Sequence, residues 1–150
     1  MKAVIALGAN MDSSAQNIEL AISLLSQAAT LISRSSLYST KPVGGPPQAD
    51  FVNAVCVIES ELSAVDLLSM LHGIEKSMGR ERSEKWGPRI IDCDLITYGD
   101  QVTEGDLLSL PHPRAHLRRF VLEPWLEIEP DAVLPIHGPI KEILAQLPLA

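Results

Sequence analysis

The sequence predicts an α+β protein with a ferredoxin-like βαββαβ core, in which helices cover an antiparallel sheet and a short helical tail follows at the C-terminus. Three observations support this fold class. Strand-like and helix-like segments follow the order of that core, one segment is a valine-rich strand with a clear two-residue period, and the chain has 150 residues. Because this length suits one folding unit, we expect residues 1–150 to form a single domain.

The first half of the chain is predicted to supply a strand, a helix, a second strand and a loop. Residues 3–8 form an apolar run that indicates a buried strand. Ser13 and Gln16 have the spacing of a capping box, so we expect a helix to begin there. The apolar face of this helix contains Ile18, Ala21, Ile22, Leu25 and Ala29. Residues 31–38 alternate weakly and predict one strand, whereas proline and glycine make residues 41–50 a loop.

The second half repeats the pattern and adds helices. Residues 51–59 are the clearest strand, with odd-numbered positions on one face and even-numbered positions on the other. A helix is expected to begin at Ser63 and to end at Gly79. Its inward residues are Leu67, Leu68, Leu71, Ile74 and Met78. Residues 90–98 predict the last strand of the core, and short helices are expected at about residues 115–123 and 139–147.

Composition and charge exclude several classes of partner. The net charge is −7, from 12 basic and 19 acidic residues, which argues against nucleic acid or an anionic membrane as the main partner. No stretch reaches the ~18 apolar residues of a membrane span, and the apolar N-terminal run is too short for a secretory signal. We therefore expect a cytoplasmic protein with small-molecule substrates. The two cysteines, Cys56 and Cys93, are predicted to be buried free thiols.

Two aspartates in the last predicted strand are the sharpest chemical feature. Asp92 and Asp94 flank Cys93 in an apolar run, so the two-residue period of a strand puts both carboxylates on one face. Like charges this close repel and resist desolvation unless a cation neutralises them. Mg²⁺ takes one or two carboxylates together with substrate phosphates, which fits this pair. The alternative is a solvated strand face that bears two acids by chance.

A basic segment directly precedes the acidic strand. It contains Trp86 and four cations, Arg80, Arg82, Lys85 and Arg89. Guanidinium groups bind phosphate in a bidentate manner, and a tryptophan in a polar loop indicates a packing partner. The chain has neither a G-x-x-x-x-G-K-S/T nor a G-x-G-x-x-G motif, so metal and arginines would hold a nucleotide instead of a glycine loop. The alternative is a solvated charged loop.

Two further groups have both a structural and a functional interpretation. His112 lies between two prolines and is followed by three arginines, so it is either a structural histidine or a phosphate ligand. Phe51 and Asn53 share a strand face. They are either core and edge residues, or a stacking and hydrogen-bonding site for a flat heterocycle. The residues alone leave both interpretations of His112 open, and they favour core and edge positions for Phe51 and Asn53.

Five motifs occur in an order that spans nearly the whole chain. They are Ala6 to Asn10, Phe51 to Ala54, Arg80 with Arg82, Trp86 to Leu95, and Leu110 to Arg114. Together they resemble the 6-hydroxymethyl-7,8-dihydropterin pyrophosphokinase family. The resemblance implies the fold predicted above, a monomer, and Mg²⁺-dependent transfer of diphosphate from ATP to 6-hydroxymethyl-7,8-dihydropterin. The products would be AMP and 6-hydroxymethyl-7,8-dihydropterin diphosphate, in a step of tetrahydrofolate biosynthesis.

The resemblance also implies roles for individual residues. Two Mg²⁺ ions would be held by Asp92 and Asp94. The catalytic residues would be Arg80, Arg82, Arg89, Asp92 and Asp94. The residues that contact ATP would be His72, Glu75, Arg80, Trp86, Arg89, Leu95, His112 and Arg118. The residues that contact the pterin would be Thr40, Val43, Phe51, Asn53, Asp92 and Phe120, with the two phenylalanines stacked on the ring.

Three positions depart from the family pattern. Phe51 stands where tyrosine is common, which keeps the stacking surface and loses a hydroxyl contact. Pro113 stands where an aromatic residue often follows the histidine, so the resemblance does not carry a nucleotide contact over to this position. His72 stands where glutamine is frequent. The acidic pair and the arginines match the pattern.

Two other functions are compatible with parts of the sequence. Another metal-dependent transferase with a D-x-D motif, such as a nucleotidyltransferase, would share Mg²⁺ and ATP but would attack the α-phosphorus and release diphosphate. A ferredoxin-like binding or regulatory module would have no turnover. The second alternative leaves the segment from Arg80 to Asp94 unexplained, and analysis of the reaction products distinguishes all three.

Overall fold

The computed structural model describes residues 1–11, 13–41, 45, 47–79 and 90–148. The elements in chain order are β1 (Lys2–Ala9), α1 (Ser14–Ala28), β2 (Thr30–Arg34), β3 (Tyr38–Thr40), β4 (Phe51–Glu59), α2 (Ala64–Ser77), β5 (Asp92–Tyr98), a 3₁₀ turn (Ala115–Leu117), α3 (Arg119–Ile128), β6 (Val133–Leu134), β7 (Gly138–Pro139) and α4 (Ile140–Gln146). This order confirms the predicted βαββαβ core and the helical tail.

The main sheet is antiparallel, in the order β2-β4-β1-β5, with β3 also paired to β4. The central strand β1 pairs with both β4 and β5. Gly8 therefore lies between Asn53 on one side and Asp92 on the other. This register brings residues that are far apart in the sequence to one end of the sheet.

Helices cover both faces of the sheet. The first face packs against α1 and α2 and buries Leu7, Ile18 and Leu71. The second face packs against α3 and α4 and buries Val55 and Trp125. The alternation predicted for residues 51–59 is confirmed, because odd positions of β4 enter the second core and even positions enter the first. The C-terminal helices thus complete the second face.

The single strand predicted at residues 31–38 is wrong, because two short strands occupy this region. Ser35 separates them. Its backbone N–H donates to the Val55 carbonyl (2.9 Å), and its hydroxyl accepts from the Val55 N–H (2.9 Å). The next N–H, at Ser36, donates to the Glu127 carboxylate on α3. The chain therefore leaves β4 after Ser35 and returns at β3.

The predicted capping box at Ser13 is also wrong. Ser13 has φ 58° and ψ 56° and makes no side-chain capping hydrogen bond, because a capping hydroxyl reaches the first turn only from extended backbone. Asn17 ties down this end of α1 instead, since its Nδ2 donates to the carbonyls of Met11 and Ile90. At α2 the predicted start is confirmed, because the Ser63 hydroxyl accepts from the Asp66 N–H at 3.1 Å.

Other boundaries differ by a few residues. The last core strand begins at Asp92 instead of residue 90, and the helix predicted at 115–123 divides into the 3₁₀ turn and α3. Both cysteines are free and buried, as predicted, and burial raises the pKa of the Cys56 thiol to about 12. Among the described residues, no helix has the length and apolar character needed to cross a membrane.

Candidate functional site

A cavity of about 680 Å³ opens at the end of the sheet where β1 finishes and β4 and β5 begin. Its floor contains Gly8, Asn53 and Asp92, which the strand register places side by side. Even-numbered residues of β1 and odd-numbered residues of β4 face the second core. Gly8 and Asn53 continue these two series, so they face the side of the sheet that α3 covers. The cavity also reaches the opposite face of the sheet, because Leu68, His72 and Glu75 of α2 line it.

The acidic pair lies in the wall formed by β5. Asp92 and Asp94 are half-buried, whereas Cys93 between them is 2% exposed and belongs to the first core. This alternation puts both carboxylates on the cavity side, and two residues of strand separate their α-carbons by ~7 Å. Across the cavity, Arg118 Nη1 lies 3.8 Å from Asp94 Oδ2. At this distance and exposure the ion pair contributes little stability.

Glu75 approaches the same strand from the opposite face. It lies on α2, is 6% exposed, and its Oε2 accepts a 2.8 Å hydrogen bond from the Cys93 N–H. His72 lies one helical turn earlier on α2 and is exposed. Both residues line the cavity, and Glu75 is in addition bound to the backbone between the two aspartates.

His112 is held by its own segment of chain. Its backbone N–H donates to the Ile96 carbonyl (2.8 Å), and its Nδ1 accepts from the Arg114 N–H (3.2 Å). Burial, together with the nearby charges of Arg118 and Arg114, lowers the pKa of His112 to about 4. The ring is therefore neutral at pH 7, and because Nδ1 is an acceptor, Nε2 carries the proton.

Arg118 connects the acidic wall with an aromatic wall. Its Cζ lies 5.5 Å from the centre of the Phe120 ring, on the same short segment that begins α3. Burial lowers the pKa of Arg118, and the charge of Asp94 opposes that shift. The guanidinium thus lies between a carboxylate and a ring face, both of which favour a cation.

The other side of the floor is an aromatic and amide pocket. Asn53 is 4% exposed, and its Nδ2 donates a 2.6 Å hydrogen bond to Thr40 Oγ1, which fixes the plane of the amide. A Cβ at Gly8 would lie 3.1 Å from Asn53 Oδ1 and 3.9 Å from the Phe51 ring. Glycine is therefore needed at position 8 for the amide to keep this position.

The structure brings most of the predicted site residues together around this one cavity. Those that line it are Thr40, Phe51, Asn53, His72, Glu75, Asp92, Asp94, Leu95, His112, Arg118 and Phe120. The remaining predicted residues lie outside the described part of the chain; they are Val43, Arg80, Arg82, Trp86 and Arg89.

Sequence reasoning missed several lining residues. Residues 105–109 form one rim of the cavity, and Leu107 (69% exposed) and Leu117 (63% exposed) are apolar side chains at its mouth. Leu68 was predicted to be inward-facing, and it lines the cavity from α2. Its position one turn before His72 could have identified it, whereas residues 105–109 have no periodic pattern that marks them.

The donor set fits a cation that completes its coordination with substrate and water. In the part of the chain that the structure describes, no group of three or more His, Cys, Asp or Glu side chains is arranged to bind a metal ion. Two carboxylates on one strand, beside a roomy cavity, match the way Mg²⁺ binds with one or two carboxylates plus phosphate oxygens. The site can therefore accept Mg²⁺ together with a polyphosphate.

Comparison with known proteins gives one consistent family. The sequence model of the 7,8-dihydro-6-hydroxymethylpterin-pyrophosphokinase (HPPK) family matches residues 4–130. A Haemophilus influenzae protein named 2-amino-4-hydroxy-6-hydroxymethyldihydropteridine pyrophosphokinase is 40% identical over 146 residues, which are 96% of this chain and 91% of that protein. A Bacillus subtilis protein of the same name is 40% identical over 128 residues, which are 84% and 77% of the two chains.

The fold is similar to that of solved structures. A crystal structure of Plasmodium falciparum HPPK-DHPS A437G superimposes with a TM-score of 0.77 at 14% identity. The match covers 97% of this chain and 45% of that chain, so this protein spans less than half of the Plasmodium polypeptide. At this identity the likeness supports the fold alone.

Proposed function

Since the chain belongs to the 7,8-dihydro-6-hydroxymethylpterin-pyrophosphokinase family, we propose that it transfers diphosphate from ATP to 6-hydroxymethyl-7,8-dihydropterin with the help of Mg²⁺. Family membership makes the protein a pyrophosphokinase of folate synthesis. The proposal adds the two substrates, the metal ion and the products, which are AMP and 6-hydroxymethyl-7,8-dihydropterin diphosphate.

One observation carries this proposal: the acidic wall and the aromatic and amide pocket meet at the floor of a single cavity. A polyphosphate needs positive charge and a cation, and a flat heterocycle needs ring stacking and directed hydrogen bonds. Because Asp92 and Asn53 are both neighbours of Gly8, the two binding functions adjoin. A donor phosphate and an acceptor hydroxyl could therefore meet between them.

On this proposal the chain contributes mainly positioning and charge. Phe51 and Phe120 stack on the pterin ring, and Asn53, oriented by Thr40, hydrogen-bonds its polar edge. The hydroxymethyl oxygen then attacks the β-phosphorus of ATP. A new P–O bond forms, the bond from the β-phosphorus to the α,β-bridging oxygen breaks, and AMP leaves with that oxygen. The hydroxyl proton passes to solvent, with Asp92 beside the attacking group.

The phosphates are proposed to bind on the opposite side of the floor. Asp92 and Asp94 would hold Mg²⁺, two ions by family resemblance, and the metal supplies charge neutralisation at the phosphate oxygens. Neutral His112 would donate from Nε2 to a phosphate oxygen, and Arg118 would add a cation. Transfer of this kind depends on alignment and charge stabilisation, so no strong general base is required.

The products test this proposal directly. We expect ³¹P NMR of ATP, Mg²⁺ and 6-hydroxymethyl-7,8-dihydropterin with the protein to show AMP and pterin diphosphate appearing in equal amounts. The control reaction omits the pterin and is expected to leave ATP intact. Release of free diphosphate would support a nucleotidyltransferase instead. Absence of turnover by folded protein would reject the proposal in favour of a binding module.

Three further predictions from the sequence accompany this proposal. We propose that the protein acts in the cytoplasm, as a monomer, with residues 1–150 as one domain. Size-exclusion chromatography with light scattering tests the monomer, for which the 16.3 kDa mass of the chain is expected. Cell fractionation tests the location.

A further inference from the structure

The buried carboxylate of Glu75 lies behind the acidic pair and not beside it. Asp92 and Asp94 alternate with Cys93, so their carboxylates and the Cys93 thiol point to opposite faces of β5. Helix α2 covers the face that contains Cys93. Glu75 therefore reaches β5 from the side opposite the two aspartates, and its Oε2 binds the Cys93 N–H at 2.8 Å.

The hydrogen bond falls on the peptide unit that joins Asp92 to Cys93. Fixing this unit restricts ψ of Asp92 and φ of Cys93, which set the directions of the two carboxylate side chains on either side of it. In the strand order β5 is terminal, so within the described sheet only β1 pairs with it. Glu75 gives this edge strand a second point of attachment beside the acidic pair.

A third carboxylate is an expensive group to bury here. Glu75 is 6% exposed, and its charge acts on Cys93 together with the charges of Asp92 and Asp94. Burial and like charge both disfavour an ionised carboxylate. A hydrogen bond from a backbone N–H offsets part of this cost. The placement makes sense if holding the Cys93 peptide is the function of the side chain, because a neutral apolar residue would fill the space but could not accept the bond.

We propose that Glu75 is a positioning residue, which acts through the Cys93 peptide to keep Asp92 and Asp94 at the separation that binds a divalent cation. This inference rests on the proposed function of the acidic pair. It differs from a direct contact between Glu75 and ATP. The exposed neighbour His72 remains the candidate for a direct contact from α2.

Two substitutions separate the hydrogen bond from the charge. Glu75→Gln keeps an acceptor oxygen of the same reach and removes the negative charge, whereas Glu75→Ala removes both. If Glu75 acts by positioning the peptide, the cation affinity and kcat of Glu75→Gln should stay within about threefold of the parent values. Glu75→Ala should lose about 10- to 100-fold in cation affinity and in kcat, as expected when a partner of a metal ligand is removed. The KM for ATP should change little.

The first readouts do not depend on turnover. Hydrogen exchange of the Cys93 amide, measured by NMR, should be faster by about tenfold or more in Glu75→Ala and near the parent rate in Glu75→Gln. Binding of Mn²⁺ in the presence of a non-hydrolysable ATP analogue, followed by electron paramagnetic resonance, should weaken in the same order. The matched controls are Glu61→Ala and Glu61→Gln, at an exposed glutamate just before α2, and both should leave these values unchanged.

Defined results overturn the inference. If Glu75→Gln loses as much cation affinity as Glu75→Ala while the Cys93 amide stays protected, the charge matters and the peptide contact does not. If either variant raises the KM for ATP and leaves kcat and cation affinity intact, Glu75 contacts the nucleotide. If Glu75→Ala does not fold, Glu75→Gln and the shorter Glu75→Asp give the same comparison. Failure of diphosphate transfer in the parent protein would reject the proposed function but would not alter the exchange and Mn²⁺ results.

Discussion

The polar groups at the two ends of the central strands differ in their surroundings: at one end they line a cavity, and at the other they bind other groups of the protein. We call the end at Gly8, Asn53 and Asp92 the cavity end, and the end at Lys2, Glu59 and Tyr98 the closed end. The same three strands, β1, β4 and β5, form both. At the cavity end, ionisable and amide side chains surround an opening of about 680 Å³.

At the closed end, polar groups bind other groups of the protein. The Tyr98 hydroxyl contacts the carbonyls of Ser60 (3.1 Å) and Leu62 (2.5 Å), and the Gly99 N–H donates to the Lys2 carbonyl (2.7 Å). Lys2 Nζ lies 2.6 Å from Glu129 Oε2. Tyr98 is 2% exposed, so its hydroxyl is held inside the protein. A smaller cavity of about 430 Å³ lies beside Lys2 and Gly99 at this end, and the polar groups named above are bound to protein atoms.

The difference indicates that the two ends of one sheet have separate roles, one in stability and the other in ligand binding. The closed end contributes to stability through satisfied internal bonds, whereas the cavity end keeps charges half-exposed where a ligand can complete them. Changes at the cavity end should therefore affect activity more than stability, and changes at the closed end should do the reverse.

The largest effect is expected from the acidic pair. Asp92→Asn and Asp94→Asn remove one negative charge each and should lower kcat by about 10²–10³-fold, the size typical for loss of one preorganised electrostatic group. Steady-state kinetics at saturating ATP measures this. Asp100→Asn, in the exposed turn after β5 at the closed end, is the matched control and should keep full activity. Equal losses in all three variants would remove the distinction between the ends.

The next effect concerns the closed end. Tyr98→Phe removes the hydroxyl that donates to the carbonyls of Ser60 and Leu62, while the Ser60 carbonyl keeps the N-terminal amine of Met1 as a donor. The free energy of unfolding should therefore fall by about 0.5–1.5 kcal/mol, the net contribution of one hydrogen bond. Urea denaturation measures the loss. The kcat of the folded variant should stay within about twofold of the parent. A variant of normal stability with impaired catalysis would contradict the division.

A smaller effect is expected at the floor of the cavity. Gly8→Ala places a methyl group 3.1 Å from Asn53 Oδ1, so the amide must move by a few tenths of an ångström. We expect the KM for the pterin to rise about 5- to 10-fold, with an unchanged KM for ATP, as overpacking typically costs ~1–3 kcal/mol. Kinetics with each substrate varied in turn gives both constants. A rise in the KM for ATP alone would show that Asn53 does not serve the pterin.

The smallest effect is a pH dependence from His112. Its pKa is about 4 in the folded protein and ~6.5 when unfolded, so the unfolded chain takes up the proton first as the pH falls. The contribution to stability is complete above pH ~6.5 and is lost as the pH falls toward 4. Because His112 is partly exposed to solvent, its contribution to the free energy of unfolding is limited to ~1 kcal/mol. Urea denaturation of the parent and His112→Gln between pH 4 and 7 should show a weaker pH dependence in the variant.

Sequence patterns predicted the elements whose signals are local and strong. Strand β4 has the predicted bounds because valine alternation and a flanking proline-rich loop define it without help from other elements. The left-handed Ser13 and the interruption at Ser35 were not predictable in this way. They depend on Asn17 reaching Ile90 and on Glu127 reaching Ser36, contacts across 73 and 91 residues that no periodicity reveals.

Some residues of the candidate site could be predicted from the sequence, whereas others became clear only in the structure. Asp92 and Asp94 could be identified because charged groups inside an apolar strand are costly unless they bind something. Asn53 was assigned to the site only through the family resemblance. Gly8 was placed in a motif, but its closeness to Asn53 required the register of β1 and β4. The binding of Glu75 to the Cys93 peptide likewise required knowing which face of α2 meets β5. A residue that affects the site by holding another residue in place has no distinctive pattern in a single sequence.

The most direct test of the division between the ends is a map of amide shifts on ligand binding. We would record ¹⁵N spectra of the protein with Mg²⁺, a non-hydrolysable ATP analogue and 6-hydroxymethyl-7,8-dihydropterin. We expect large changes at Gly8, Asn53 and Asp94, and none at Lys2, Glu59 and Tyr98. Changes concentrated at the closed end, or no changes with folded protein at saturating ligand, would contradict it.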